Sequence, residues 1–262
     1  MRKVLTVGTI SADEGKISGC AAYVAAGLVK LGVGAAVCAK IKQEDSEAIR
    51  AFFAENGIDD EMLFTDGERF DLNLSGISAV FVTGDFAVND LGFGLLKDFR
   101  EKCESLQIPL ILATSNHSES PDRINNAASG ANVFLTSIED AQKLCGLSDA
   151  KEIAEHYLSL GAHKIVVTLD KQGAFYKSRV ECGSAPTFRA DRVVDTTGAG
   201  DAFAAGLTSG IIEELPLGEA VVRANACGCM AIQHEGLYMP TADKLREYML
   251  SHRFVVDGCK DF

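Results

Sequence analysis

Two aspartates, Asp195 and Asp201, bracket the run Thr-Thr-Gly-Ala-Gly in VVDTTGAGDAFAAGL (193–207), and the chain turns apolar directly afterwards. Gly198, Ala199 and Gly200 carry almost no side chain, so successive backbone N–H groups can converge on an anion. A helix starting here adds the positive end of its dipole. A carboxylate placed immediately behind such a hole is repelled by a phosphate unless it accepts the proton of the group attacking that phosphate. Asp201 therefore reads as a general base rather than merely as a helix cap, although Asp is a favoured capping residue. For Asp195 two readings stand side by side: a carboxylate that ties down the turn through local backbone hydrogen bonds, or one that binds a cation or a metal-bound water.

The elements that must position this loop follow from the apolar patterning. Short aliphatic runs alternate with longer helical patterns: KVLTVGTI before AAYVAAGLVKLG, GAAVCAKI before SEAIRAFFAENG, AVFVTG before LGFGLLKDFREKCESLQ, then PLILAT, NVFLTS and KIVVTL. Strands alternating with helices predict a mainly parallel sheet covered by helices on both faces, in one α/β domain over residues 1–262. Gly32 and Gly57 follow periodic stretches as stop signals. Ligands in such sheets bind beyond the carboxyl ends of strands. RVVD is accordingly expected to be a strand end and DAFAAGL a helix start, with Gly198–Gly200 as the turn between them. Small residues along the closing helical segments allow close helix packing.

The 262 residues and 47% hydrophobic content suffice for a large core, and the net charge of −12 argues against nucleic acid or an anionic membrane as partner. The basic N-terminus precedes an apolar run that is short, alternating and broken by Gly8, a strand rather than a signal peptide. No stretch approaches the roughly 18 continuous apolar residues of a membrane span. The eight cysteines form no C-x-x-C pair, and reduced thiols in a cytoplasmic protein, packed in the core, account for them. The five histidines show no metal-ligand spacing; His117, after a strand, is the one that could approach a cleft.

The stretch DTTGAGDAFAAG resembles the C-terminal signature of the ribokinase-like, or PfkB, family of carbohydrate kinases. The resemblance implies a ribokinase-like three-layer α/β/α sandwich and transfer of the γ-phosphate of ATP, with Mg2+, to a hydroxyl of a sugar or sugar-like molecule. It implies Asp201 as the base, the N–H groups from Gly198 through Ala199 to Gly200 as the anion hole, and Asp195 and Thr197 beside an activating K+. In VGTISAD, Asp13 matches an aspartate that holds substrate hydroxyls, with an exposed turn residue as the other reading, and Asp85 in FVTGDF, after another strand, reads equally as a second such ligand or a surface turn carboxylate; Gly19 and Tyr23 fall on the family's N-terminal substrate motif. Thr168, Asp170 and Gly173 in VTLDKQG match a nucleotide-binding strand and turn. Asn225 matches a position beside adenine, equally readable as an internally bonded helical Asn, and Gly236 matches the turn closing that pocket.

The chain departs from the family pattern at several points. SGCAAY places Ser18 and Gly19 where Gly-Gly is usual and Tyr23 where Asn is usual. TSIEDA places Ser137 and Asp140 where Asn-x-x-Glu is linked to magnesium and phosphate. Asp170 stands where glycine is common, and TSN replaces Asp-x-Asn, leaving Asn116 and substituting Thr114. Only EGKI and Ser18 separate Asp13 from Gly19, so the β-lid is reduced or absent, with MLFTDGERFDLNLSG as a short substitute for later lid strand. Because lid strands form the interface in lidded relatives, a homodimer stays open. These substitutions also support an alternative, a catalytically weak adenine-nucleotide-binding regulatory protein. GAGDAF lacks the third glycine and the βαβ setting of a dinucleotide fingerprint, which disfavours an NAD oxidoreductase.

Overall fold

The structure, a computed structural model, describes residues 2–65, 72–114 and 120–252. Asn116, His117, Cys259 and residues 66–71 of the expected lid substitute lie outside the described residues. In chain order the strands are β1 (Lys3–Val7), β2 (Ser11–Asp13), β3 (Lys16–Ser18), β4 (Gly34–Lys40), β5 (Asp59–Phe64), β6 (Ala79–Thr83), β7 (Leu110–Ala113), β8 (Val133–Ser137), β9 (Lys164–Thr168), β10 (Ala174–Ser178) and β11 (Cys182–Ala185). The helices are α1 (Cys20–Lys30), α2 (Ser46–Asn56), α3 (Gly84–Val88), α4 (Asp90–Leu106), α5 (Pro121–Ala128), α6 (Ile138–Cys145), α7 (Ala150–Leu160), α8 (Ala199–Ile212), α9 (Leu217–Ala231) and α10 (Ala242–Ser251).

Nine strands form one sheet in the order β11-β10-β9-β8-β7-β6-β1-β4-β5. From β5 to β9 all neighbours are parallel, while β10 and β11 return antiparallel at the far edge. The inner parallel strands such as β6 and β7 are buried on both faces, which is why they read as continuous aliphatic runs instead of alternating ones. On β1, Val4 packs on one side of the sheet and Leu5 and Val7 on the other. The buried Thr6 hydroxyl between them donates to the Ala21 carbonyl of α1 at 2.9 Å, so burial leaves no orphan polar group.

One face is covered by α1, α2, α8 and α9, through residues such as Leu28, Phe53, Leu207 and Val221. The other is covered by α3 to α7, through Phe86, Phe99, Ile124, Leu144 and Tyr157. The small residues of α8 do what their pattern suggests: a Cβ on Gly206 would stand 2.9 Å from the Ala224 Cα, and one on Gly210 2.9 Å from that of Ala220, so α8 and α9 meet almost backbone to backbone. Among the described residues no helix is long and apolar enough to cross a membrane.

The chain leaves β1 toward β4 and β5 on one side and then returns to place β6 on the other, so the winding direction reverses between β1 and β6. That switch opens a crevice at the carboxyl ends of the strands. Over it stands a separate two-stranded sheet, β2 paired with β3. Glu14 and Gly15 both take positive φ (47° and 79°) and turn this hairpin in two residues.

One expected strand does not form. RVVD (192–195) is a loop whose Val193 and Val194 are 64% and 44% exposed. The N–H groups of Val194 and Asp195 bond the Ile232 carbonyl just past α9, at 2.8 and 3.3 Å, and among the described residues no strand pairs with the segment. The β-rich composition of the segment yields to tertiary context.

Candidate active site

A cavity of about 700 Å³ occupies the crevice, lined by Thr9 and Ile10 after β1, Asp85 on α3, Thr114 after β7, Thr136 and Ser137 on β8, and Thr168 on β9. The N-termini of α1 and α8 close it, contributing Gly19, Cys20, Gly198, Gly200 and Asp201. Gly198 caps α8 with φ 76° and no side-chain cap is present, so the first-turn donors are not consumed by a capping side chain. The Ala199 N–H is nevertheless bonded to the Thr196 carbonyl at 3.2 Å, and Ala199 does not line the cavity. Of the three residues expected to form an anion hole, Gly198 and Gly200 line the cavity and Ala199 does not, because α8 begins at Ala199 rather than after Gly200; Asp201 follows in the lining. A Cβ built on Gly200 meets nothing within 4 Å, leaving room at this point for a ligand.

Asp201, on the first turn of α8, has its carboxyl pushed up to about 6 by burial, against which a hydrogen bond from the Cys20 thiol works. This has a consequence for stability. A carboxyl that titrates near 6 when folded and near 3.8 when unfolded holds its proton more tightly in the folded state, so stability falls as pH rises from about 4 to 6, and the penalty is complete above that window. Asp201→Asn is expected to raise stability by on the order of 2 kcal/mol at pH 8 and to leave it unchanged at pH 3.5, read by thermal melts at the two pH values.

Asp140 is buried and held from two sides. Its backbone N–H donates to the Ser137 Oγ at 3.0 Å, where Ser137 caps α6, and its carboxylate accepts from the Thr114 hydroxyl at 3.0 Å, which in turn meets the Thr136 hydroxyl at 3.0 Å. The three substituted family positions thus form one network at the cavity floor. Across the cavity, Asp85 accepts the Thr9 N–H at 3.2 Å and the Thr9 hydroxyl, tying the loop after β1 to α3.

A profile described as "pfkB family carbohydrate kinase" matches residues 72–244, about two thirds of the chain and all of the α8 signature. The chain belongs to the pfkB family of carbohydrate kinases. It is 39% identical over 134 residues to the 2-dehydro-3-deoxygluconokinase of Bacillus subtilis, a match covering 50% of this chain and 41% of that protein. It is 33% identical over 144 residues to the aminoimidazole riboside kinase of Salmonella typhimurium, covering 52% and 45%. The matched stretch thus spans less than half the length of these curated relatives. In fold, it superposes on the crystal structure of aminoimidazole riboside kinase from Salmonella enterica with a TM-score of 0.80 at 22% identity, over 96% of this chain and 100% of that one.

Within this pfkB-family chain the structure gathers Gly19, Asp85, Ser137, Asp140, Thr168, Thr197, Gly198, Gly200 and Asp201 around one cavity. It does not bring the other expected site residues there. Asp13 shares a face of β2 with the lining residue Ser11 but stands two residues farther out, roughly 7 Å, exposed beside the hairpin turn. Tyr23 is not free for a substrate: its phenol donates to the Ile17 carbonyl of β3 and its ring packs edge-on against Phe52 at 6.5 Å. It pins the hairpin to α1. Tyr23→Phe is expected to cost only about 1 kcal/mol of global stability yet to speed tryptic cleavage after Lys16 in the hairpin, followed by gel or mass spectrometry.

Of the residues expected near a nucleotide, Asp170 is exposed at φ 52°, outside the cavity lining. Gly173 serves packing: a Cβ there would lie 2.1 Å from the Ala185 carbonyl oxygen of β11. The buried Asn225 spends its amide on the Ala185 and Pro186 carbonyls at 2.9 and 3.3 Å, the internally bonded alternative. Gly236 donates its N–H to one oxygen of Asp195 at 3.0 Å, and the Thr197 N–H reaches the other at 2.9 Å. These backbone donors, that of Thr197 foremost, hold the Asp195 carboxyl below its usual range and make the turn-fastening role the visible one. Among the described residues no cluster of three or more His, Cys, Asp or Glu is arranged to hold a metal ion. Sequence reasoning passed over Thr9, and it assigned Cys20 to packing; the signal for Cys20 was its place directly after Gly19.

Proposed function

We propose that this chain transfers the γ-phosphoryl group of ATP to a hydroxyl of a sugar or sugar-like small molecule. The observation that carries the reading is Asp201: a carboxyl pushed up to about 6 by burial, on the first turn of a helix whose open N-terminus faces a 700 Å³ cavity. Such a group is ionised at neutral pH yet basic enough to take a proton from an alcohol as it attacks. The N–H groups at Gly198, Gly200 and Asp201 and the α8 dipole offset charge on the transferring phosphoryl, so positioning and electrostatics do most of the work. Asp85 and the hydroxyls of Thr9 and Ser11 are the groups we assign to acceptor hydroxyls.

The donor set fits a magnesium ion that arrives with the polyphosphate, which keeps several waters and needs few protein carboxylates. Asp140, buried and fixed by Thr114, is the residue we assign to hold its waters. When bound, the ion neutralises charge on the β- and γ-phosphates. We assign K+ activation to the Asp195–Thr197 turn.

The test is ATP turnover against sugars, sugar acids, amino sugars, polyols and nucleosides, with phosphorylated products identified by mass spectrometry, in K+ and again in tetramethylammonium. One phosphorylated acceptor supports the reading. ATP binding without any product across the panel would instead support a nucleotide-binding regulator, and equal rates in the two salts would remove K+.

A further inference from the structure

Asp140 lies on the first turn of α6, which Ser137 caps. An acid three residues after a capping serine commonly reaches back to the backbone N–H of that serine. Here the Asp140 Oδ2 accepts instead from the Thr114 hydroxyl, at 3.0 Å, across the end of the neighbouring strand. The sheet builds this contact. Ala113 pairs with Leu135, and the Thr114 N–H goes on to donate to the Leu135 carbonyl at 2.9 Å, so the pairing runs one residue past β7 and sets Thr114 beside Thr136. The two hydroxyls stand 3.0 Å apart, Thr136 and Asp140 are buried, and all three residues line the cavity.

We propose that Thr114, backed by Thr136, is the positioning residue of Asp140: it holds one carboxylate oxygen and leaves the other to the magnesium-bound water that accompanies the nucleotide. The proposal rests on the assignment of Asp140 to that water. The protons fit. A hydroxyl carries one, so when Thr114 gives its own to Asp140, the proton of Thr136 closes the 3.0 Å contact behind it. Thr136 Oγ1 also lies 3.2 Å from the Ser137 carbonyl, a contact this arrangement forgoes.

The residue types are matched to one another. A carboxylate at position 114, the residue of the family pattern, would face Asp140 at hydrogen-bond distance and disfavour ionisation of one of the two. A hydroxyl donates instead, and a hydrogen bond to an ionised group is the stronger kind. From the other side, the Asp140 N–H is held by Ser137 Oγ at 3.0 Å, and the N-terminal end of α6 favours negative charge. The departures at Thr114, Ser137 and Asp140 are therefore parts of one arrangement. A weak nucleotide-binding regulator would require them to be separate losses.

The experiment measures the affinity for trinitrophenyl-ATP in Mg2+ and again in EDTA, for the wild type, Thr114→Val, Thr114→Ser and Thr136→Val, with thermal melts to confirm folding. Thr114→Val keeps the shape of the side chain and removes the donor. It is expected to weaken binding about tenfold in Mg2+ and to leave binding in EDTA within about twofold, the scale seen when a group orienting a metal's ligand is lost. Thr114→Ser, which keeps the hydroxyl, is expected to bind as the wild type does. A packing defect would instead weaken both affinities alike. An equal effect of Mg2+ in the wild type and Thr114→Val overturns the proposal, as does a Thr114→Ser that behaves like Thr114→Val. Should Thr114→Val not fold, Thr136→Val carries the test: about a threefold loss in Mg2+ alone is expected, and no change overturns the proposal. Because the readout needs no acceptor, the two readings fail separately. A selective loss in Mg2+ supports the role of Thr114 even if no acceptor is phosphorylated, which would overturn the kinase reading alone. A wild type that binds equally in Mg2+ and EDTA overturns the assignment of Asp140 and the proposal with it, while product formation still decides the kinase reading.

Discussion

Asp201→Asn is expected to lower kcat for phosphoryl transfer by roughly 100- to 10,000-fold, the range that a positioned general base supplies, with nucleotide affinity retained. The substitution keeps the volume and planar shape of the side chain, so the first turn of α8, capped by the Gly198 backbone and not by Asp201, keeps its place. On the proposed reading, what it removes is the carboxylate that takes the acceptor proton. The N–H groups to which we assign the phosphoryl are untouched, which is why binding of ATP, measured by calorimetry, is expected to survive. The same variant is expected to be more stable at pH 8 than the wild type, so inactivity cannot come from unfolding. A kcat within threefold of wild type would remove Asp201 from the chemistry.

Gly19→Ala is expected to cost on the order of 4 kcal/mol and to abolish activity. Two independent effects add. At φ 128° an L side chain is strained, a penalty of about 1–3 kcal/mol. The new methyl would also stand 2.3 Å from the Thr9 carbonyl oxygen, a backbone atom that cannot rotate aside, and relieving such overpacking typically takes about 1–3 kcal/mol more. Relief must come from shifting either the Thr9 loop or the start of α1. The first moves the partner of Asp85, and the second moves the part of the cavity wall formed by Gly19 and Cys20. Denaturant melts read the stability, and turnover at a temperature where the variant is still folded reads the displacement. Wild-type stability would show that the loop yields easily and that Gly19 is not what fixes the entry to α1.

The two substitutions probe different layers of one construction. Asp201→Asn tests the base we propose, whereas Gly19→Ala tests where α1, the hairpin β2–β3 and the Thr9 loop meet. Tyr23 belongs to that second layer. Where the family pattern carries an amide, this chain carries a phenol that fastens the small hairpin to the helix behind it. A two-stranded hairpin has few contacts of its own, and the aromatic pair Tyr23–Phe52 sits behind its anchor to α1.

The sequence by itself determined the backbone events. Aliphatic runs of strand length, alternating with periodic segments, dictated a parallel sheet between two helical layers. Gly198–Gly200 before an apolar helix dictated an open N-terminus with Asp201 on its first turn. Such features are local: they depend on φ preference, on periodicity and on the order of neighbouring residues. The tertiary structure alone decided which side chains meet. Asp13 and Ser11 share a strand face, yet hairpin geometry puts one at the rim and the other in the wall. Asn225 turns inward because the Ala185 and Pro186 carbonyls at the end of β11 lie beside α9, a contact no local pattern announces. RVVD reads as a strand, but a strand requires a partner, and the nearest backbone there is the end of a helix. The meeting of Cys20 and Asp201 at one cavity is of the same kind: the residues are far apart in the chain, and the close packing of α1 on α8, permitted by Gly27 against Ala205, brings the two helix starts to the same crevice.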